Sequence, residues 1–122
     1  MKFVGYFEGT DSLLLTKLSS KGIGVLPLGN SFDNHGKYIG FIDKTDNIGV
    51  VVGYAHKVMT LPGRSPSPED LLSVCSIRRI PVVLVSAEED ISSVNNQLSE
   101  VKDYITIVPP EKAYDTIMQR LT

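Results

Sequence analysis

The chain has 122 residues, of which 42% are hydrophobic and 21% are charged, and its formal net charge is -2. This length suits one domain with a real core, so we expect a single α/β domain over residues 1–122. The near-neutral charge offers no general attraction to nucleic acid or to acidic membranes, and neither is expected as a partner. The apolar runs are too short to span a bilayer and we expect no signal peptide, which together predict a cytoplasmic location.

Cys75 is the only cysteine, which excludes an intrachain disulfide and a cysteine-rich metal site. It follows Leu71 and Leu72 in an apolar stripe at helical spacing. We therefore expect a buried thiol that acts as a small hydrophobic side chain and not as a nucleophile.

The first third of the chain alternates between strand and helix patterns. Residues 3–7 form a short apolar run, which predicts the first strand. Residues 11–21 place leucines four apart, as a helix does, and Thr10 or Asp11 can cap that helix. Residues 23–28 then predict the second strand.

The next stretch is less regular. Residues 29–36 are dense in glycine, asparagine and other turn formers, so they predict a loop. Residues 38–42 and 48–52 each read as a strand, and residues 43–47 between them have the composition of a hairpin turn. This pattern predicts one antiparallel strand at an edge of the sheet.

The second half shows a cleaner alternation. A helix is predicted from Pro68, because proline suits the first helical turn. Residues 82–85 form an apolar strand, and residues 91–102 carry a strong amphipathic helical pattern. Residues 104–108 predict the last strand, and Pro110 begins the last helix.

Strands separated by helices predict a three-layer α/β sandwich. We expect a mostly parallel five-stranded, Rossmann-like sheet with an added β-hairpin strand around residues 38–52. In such folds ligands bind outside the carboxyl ends of the strands. The loops that begin at Glu8, Gly29, Gly53, Ser86 and Pro109 are therefore the ones to search for a site.

Residues 61–121 resemble a response-regulator receiver domain. Residues 61–63, Leu-Pro-Gly, are similar to the Met-Pro-Gly segment that follows the phosphorylated aspartate of receivers. Residues 80–87 match the fourth receiver strand with its Ser/Thr-Ala end, residues 103–106 are similar to the fifth strand, and the final helix follows from Glu111. The resemblance implies a receiver-like sheet.

The residues that carry phosphoryl chemistry in receivers are largely missing. After the first strand only Glu8 could serve in place of two adjacent acids, and Gly53 and Tyr54 stand near the expected phosphoacceptor. Residues 107–109 lack the expected lysine, whereas Ser86 matches the switch hydroxyl. The resemblance thus implies the fold without the reaction, and we expect no catalytic residues, no metal site and no cofactor.

Polar residues at the predicted carboxyl edge remain candidates for ligand binding. Thr10 lies where free amides of a helix N-terminus could hold an anion, although a plain capped turn explains it as well. Two histidines and a carboxylate near this edge could bind a metal or move protons, although solvated rings are the simpler interpretation. The full candidate set is Glu8, Thr10, Asp33, His35, Tyr54, His56 and Ser86.

Three hypotheses for function follow. The first is a non-catalytic receiver-like signalling or protein-interaction module that lacks the phosphorylation site. Its partner would be another protein or a second copy, bound through the edge formed by residues 91–121, because the outer backbone row of the last strand is open. The alternative is a small-ligand-binding protein or an enzyme that uses the 29–36 loop with His56. The third is a structural subunit such as the small F subunit of rotary ATPases, whose sheet is similar, but the Gly-Asp-rich opening expected after its first strand is missing.

Overall fold

The computed structural model describes residues 2–30, 35–59 and 67–121. Its strands are β1 Phe3–Phe7, β2 Val25–Gly29, β3 Lys37–Tyr38, β4 Ile48–Tyr54, β5 Val82–Val85 and β6 Ile105–Val108. Its α-helices are α1 Ser12–Ser20, α2 Pro68–Leu71, α3 Ser73–Arg78, α4 Ile91–Gln97 and α5 Ala113–Leu121. None of these described helices is long and apolar enough to cross a membrane.

The six strands form one sheet in the order β3-β2-β1-β4-β5-β6, and every pairing is parallel. Without the two-residue β3, the order is the flavodoxin-like order of doubly wound sheets. The predicted α/β fold with its mostly parallel sheet is therefore confirmed. The sheet has six strands, and the added strand, β3, is not part of a hairpin.

The predicted hairpin over residues 38–52 is wrong. Lys37–Tyr38 pairs with the end of β2 in parallel, and the chain then turns into a 3-10 helix at Ile39–Phe41. Ile39 and Ile42 are both buried in the core beneath the sheet. Burial of these two side chains keeps the segment off the sheet edge, so tertiary packing overrides its strand propensity.

The presumed hairpin turn is instead a capped helical turn. The Asp43 carboxylate accepts from the Thr45 amide at 2.8 Å, and the Asp46 carboxylate accepts from the Asp43 amide at 2.9 Å. This reciprocal capping box starts a 3-10 helix at Lys44–Asp46. The turn residues that suggested a hairpin therefore serve as helix caps.

The core has two apolar layers, one on each face of the sheet. One face is covered by α2, the turn after it and α4, through Leu71, Leu72 and Val94. The other face is covered by α1 and α5, through Leu18 and Ile117. With both faces covered, the central strands β4 and β5 are buried along almost their whole length. This explains why they read as unbroken apolar runs.

Two helix boundaries refine the predicted ones. Asp11 is the cap of α1, since its carboxylate accepts from the Leu13 amide at 3.0 Å. The helix predicted over residues 91–102 ends at Gln97, and a 3-10 helix at Ser99–Tyr104 leads into β6. The amphipathic spacing continues through that tighter turn, so Leu98 and Val101 still reach the core.

Arg79 ends α3 in the left-handed conformation, with φ of 57°. Its amide donates to the carbonyls of Cys75 and Ser76, and the Ile80 amide donates to the Cys75 carbonyl at 2.9 Å. Glycine is the usual residue at such a helix end, because any Cβ costs about 1 kcal/mol in this conformation. The chain thus carries an arginine where glycine would be more stable.

Candidate functional site

The carboxyl edge of the sheet brings together three chain segments. They are the turn after β1, the end of β2 and the 3-10 helix at Ala55–Lys57 after β4. Gly9 has φ of 87°, and a Cβ built there would lie 3.7 Å from the Cε atom of Lys57. The first and third segments therefore lie side by side, as the sheet order requires.

Asn30 connects the other two segments. Its side chain is 3% exposed, and its Nδ2 atom donates to the Lys57 carbonyl at 2.7 Å. This bond fixes the end of β2 to the turn that follows β4, across the end of β1. Sequence reasoning placed Asn30 only in a turn-rich loop, because its partner lies 27 residues away.

Each histidine of the candidate set packs against a tyrosine. The ring of His35 lies edge-on to Tyr6 at 5.5 Å, and its Nδ1 atom lies 3.2 Å from the Leu28 carbonyl oxygen. The ring of His56 stacks on Tyr54, with centroids 5.9 Å apart and an angle of 19°. Aromatic neighbours therefore help to fix the orientation of both rings.

Of the remaining candidates, one is exposed to solvent, two form hydrogen bonds to carbonyl groups nearby in the chain, and one is not described. Glu8 is exposed. Thr10 donates its hydroxyl to the Phe7 carbonyl at 2.7 Å, and Ser86 is buried and donates to the Ala87 carbonyl at 3.2 Å. Asp33 lies outside the described residues, as does the segment at residues 61–63 that resembles a receiver.

A small cavity lies at this edge between α1 and α5 and includes two candidates, Thr10 and Tyr54. Its volume is ≈ 30 Å³, which is room for about two water molecules. A small-molecule site usually has about 300–1,000 Å³. The cavity lining is Thr10, Asp11, Leu14, Gly53, Tyr54, Val85, Pro110 and Ala113.

On the other face of the sheet, the space at this edge is filled by a core side chain. A Cβ atom at Gly53 would lie 2.6 Å from the Cδ2 atom of Phe7, whose side chain is 1% exposed. Phe7 thus occupies the space beside the end of β4. Within the described part of the chain, no three His, Cys, Asp or Glu side chains are grouped so that they could hold a metal ion.

A much larger pocket lies at the opposite, amino end of the outer strands. Its volume is ≈ 500 Å³, and its lining is Ser76, Arg79, Pro81, Asp103, Tyr104, Thr106 and Arg120. The rule for parallel sheets directs attention to the carboxyl ends, so the sequence search missed it. The available signal in the sequence was the pair of adjacent arginines, Arg78 and Arg79.

The strand β6 borders this pocket and is an edge of the sheet. It pairs with β5 on one side, and no described strand lies on the other. The Val108 carbonyl accepts from the Ser86 amide at 3.0 Å, so it faces β5. Since successive residues of a strand face opposite sides, the amides and carbonyls of Ile105 and Ile107 face outward.

Comparison with known protein families found no family model that matches the chain, and comparison with curated proteins found no match.

Proposed function

We propose that the chain is a non-catalytic, receiver-like protein-interaction module that pairs with a second copy of itself along β6. The observation that carries this proposal is the open backbone row of Ile105 and Ile107. Unpaired strand edges readily accept another strand, and proteins usually blunt them with charge, proline or a covering segment. The β6 strand itself, Ile-Thr-Ile-Val, contains none of the blunting residues.

A second copy fits this edge because β6 is complementary to itself. In an antiparallel two-fold arrangement centred on Thr106, Ile105 of one copy lies opposite Ile107 of the other. Both residues face outward, so each such pair exchanges two backbone hydrogen bonds, and the two pairs form four. An interface of this kind closes as a dimer and leaves no further edge on that side.

The side chains on β6 favour the same arrangement. Ile105 and Ile107 are half-buried and pack against the core layer that includes Leu71 and Val94. Pairing would remove more of their apolar surface from water, which stabilises the complex. Thr106 projects to the other face, where a threonine pair across the two-fold axis is favourable.

The receiver-like part of the proposal is supported by the strand order and by the chemistry at the carboxyl edge. The order β2-β1-β4-β5-β6 is the one that receivers share with other flavodoxin-like sheets. Glu8 is the acid available after β1, and Phe7 fills the space beside Gly53. These features favour binding through the strand edge over chemistry at the carboxyl edge.

Sedimentation equilibrium of the wild type, Ile107→Pro and Ile107→Val tests this proposal. Proline removes the outward amide of residue 107 without breaking a bond to β5, and valine keeps the amide and the branched side chain. The wild type and Ile107→Val are expected to dimerise. Ile107→Pro is expected to weaken the dimer at least ~10-fold, because two hydrogen bonds are lost at about 1 kcal/mol each.

The thermal unfolding of all three proteins shows whether the proline variant stays folded. A folded Ile107→Pro that dimerises as tightly as Ile107→Val would contradict pairing along β6. A wild type that stays monomeric at hundreds of micromolar would remove the proposed function altogether.

A further inference from the structure

We infer that the ≈ 500 Å³ pocket at the amino end of β5 and β6 binds the phosphate group of a small hydroxylated phosphate monoester. Two arginines, Arg79 and Arg120, line this pocket. A phosphate monoester carries about two negative charges near pH 7, which matches two arginines. Every residue of the lining belongs to one copy of the chain, so a monomer alone can bind the ligand.

Arg120 is already oriented for this role. Its Nη2 atom donates to the Thr106 hydroxyl at 2.9 Å, which holds the planar group over the pocket. That bond uses one of the five N–H donors of a guanidinium, so others are available for phosphate oxygens. Among the described residues Arg120 forms no ion pair.

Arg79 reaches the pocket from α3 in a conformation that favours glycine. Its φ of 57° and its two backbone hydrogen bonds fix where its side chain leaves the chain. Arginine at such a helix end has a conformational cost that glycine would avoid. A need for the guanidinium in binding explains why arginine is present despite this cost, since glycine would remove the positive charge.

Asp103 gives the pocket its selectivity. Its carboxylate opposes a bare anion and can accept a hydrogen bond from a hydroxyl group of a ligand. Ser76 and Thr106 add hydroxyls to the lining. The hydroxyl of Tyr104 already donates to the Leu72 carbonyl at 3.3 Å, so it serves as part of the wall. A ligand with both a phosphate and a hydroxyl group therefore fits better than inorganic phosphate.

Isothermal titration with glycerol 3-phosphate, inorganic phosphate and malate at constant ionic strength tests the inference. The wild type is expected to bind glycerol 3-phosphate most tightly, then inorganic phosphate, with malate weakest. Arg79→Gly and Arg120→Gln should each weaken glycerol 3-phosphate binding at least ~10-fold, because charge-assisted hydrogen bonds are lost. Arg79→Lys should recover part of the loss, since it keeps the charge but not the fork.

Unfolding measurements on Arg79→Gly and two further variants make the test specific. Arg79→Gly is expected to keep or raise the unfolding temperature, so weaker binding by this variant cannot be explained by unfolding. Asp103→Asn should strengthen binding of inorganic phosphate by removing a repelling charge, and Arg78→Gln, outside the pocket lining, should change nothing.

Three results would each overturn the inference. The first is equal binding of glycerol 3-phosphate by wild type and Arg79→Gly, and the second is malate binding as tight as that of the phosphate ligands. The third is no measurable binding at about 10 mM ligand, a concentration that would detect a site with a standard binding free energy of about -3 kcal/mol. The same titration with Ile107→Pro should still detect binding of glycerol 3-phosphate, because every lining residue belongs to one copy of the chain.

Discussion

Replacing Asn30 with aspartate is expected to destabilise the domain by about 2–4 kcal/mol at pH 7 and by much less at pH 3. The Nδ2 atom of Asn30 donates to the Lys57 carbonyl at 2.7 Å in a site that is 3% exposed. An ionised carboxylate cannot donate and would face that carbonyl oxygen. The protonated acid could still donate its proton.

The pH dependence of the Asn30→Asp variant follows from that difference. Burial beside a carbonyl oxygen raises the pKa of the new carboxyl group in the folded state above its unfolded value of about 3.9. A raised folded-state pKa gives stability that is present below the unfolded pKa and is lost as the pH rises through the folded pKa. The variant should therefore be closest to wild type at pH 3 and furthest from it at pH 7.

Urea unfolding of Asn30→Asp, Asn96→Asp and the wild type at pH 3 and pH 7 measures the effect. Asn96 is exposed on α4, so its aspartate variant controls for the added charge. A cost for Asn30→Asp that is equal at both pH values, or no larger than that of Asn96→Asp, would show that the link between β2 and the turn after β4 is unimportant.

Alkaline pH is expected to destabilise the wild type through Cys75, by about 3 kcal/mol between pH 8 and pH 11. The Cys75 side chain is fully buried, and that burial raises the pKa of its thiol to about 12. The folded protein keeps this proton while the unfolded chain releases it near pH 8.5–9. The stability contributed by the thiol is thus complete below pH 8.5 and is lost as the pH rises toward 12.

Tyr104 acts in the same direction. Burial, together with negative charge on Cys75 and on Glu69, raises the pKa of its phenol to about 12. To isolate the thiol, the free energy of unfolding of Cys75→Ala is subtracted from that of the wild type at each pH.

The comparison with Cys75→Ala has a definite expected sign. At pH 8 the alanine variant should be less stable than wild type by about 1–2 kcal/mol, because a buried sulfur is removed. At pH 11 that difference should vanish or reverse. A difference that stays constant from pH 8 to pH 11, or a native thiol that reacts rapidly with a disulfide reagent at pH 8, would contradict the buried, protonated thiol.

The parts of the fold that depend on residues close together in the sequence are predictable from it. Asp11 caps α1 by accepting from the Leu13 amide, which is only two residues away. The apolar runs of β4 and β5 reflect the burial of these strands on both faces of the sheet. The failed hairpin shows the limit of this reasoning. The composition of residues 43–47 suits both a hairpin turn and a capping box, and burial of Ile39 and Ile42 decides between them.

The candidate sites show the same limit. The sequence placed Thr10, His35, Tyr54 and His56 at the carboxyl edge, but it could not show that Phe7 fills the space beside Gly53. Nor could it show that Asn30 bonds to the Lys57 carbonyl across the end of β1. These contacts join residues far apart in the chain, and no local pattern encodes them.

The amino-end pocket was missed for a related reason. Arg79 and Arg120 are 41 positions apart, and only the tertiary fold, in which Arg120 donates to Thr106 on β6, brings them to one pocket. The left-handed backbone conformation of Arg79 could not be predicted either, because nothing in the sequence distinguishes an arginine in this conformation from one at an ordinary helix end.

Disulfide formation in a Thr106→Cys variant tests pairing along β6 most directly. In the antiparallel register centred on Thr106, its Cβ atom lies about 4.5–5.5 Å from its own copy, close enough for a disulfide to form with a small adjustment. Cys75 is fully buried, which keeps background crosslinking low, and Ser20→Cys on exposed α1 is the matched control. We expect Thr106→Cys to become a covalent dimer on mild oxidation at micromolar concentration, while Ser20→Cys remains mostly monomeric. Equal and slow crosslinking of the two variants would contradict the dimer.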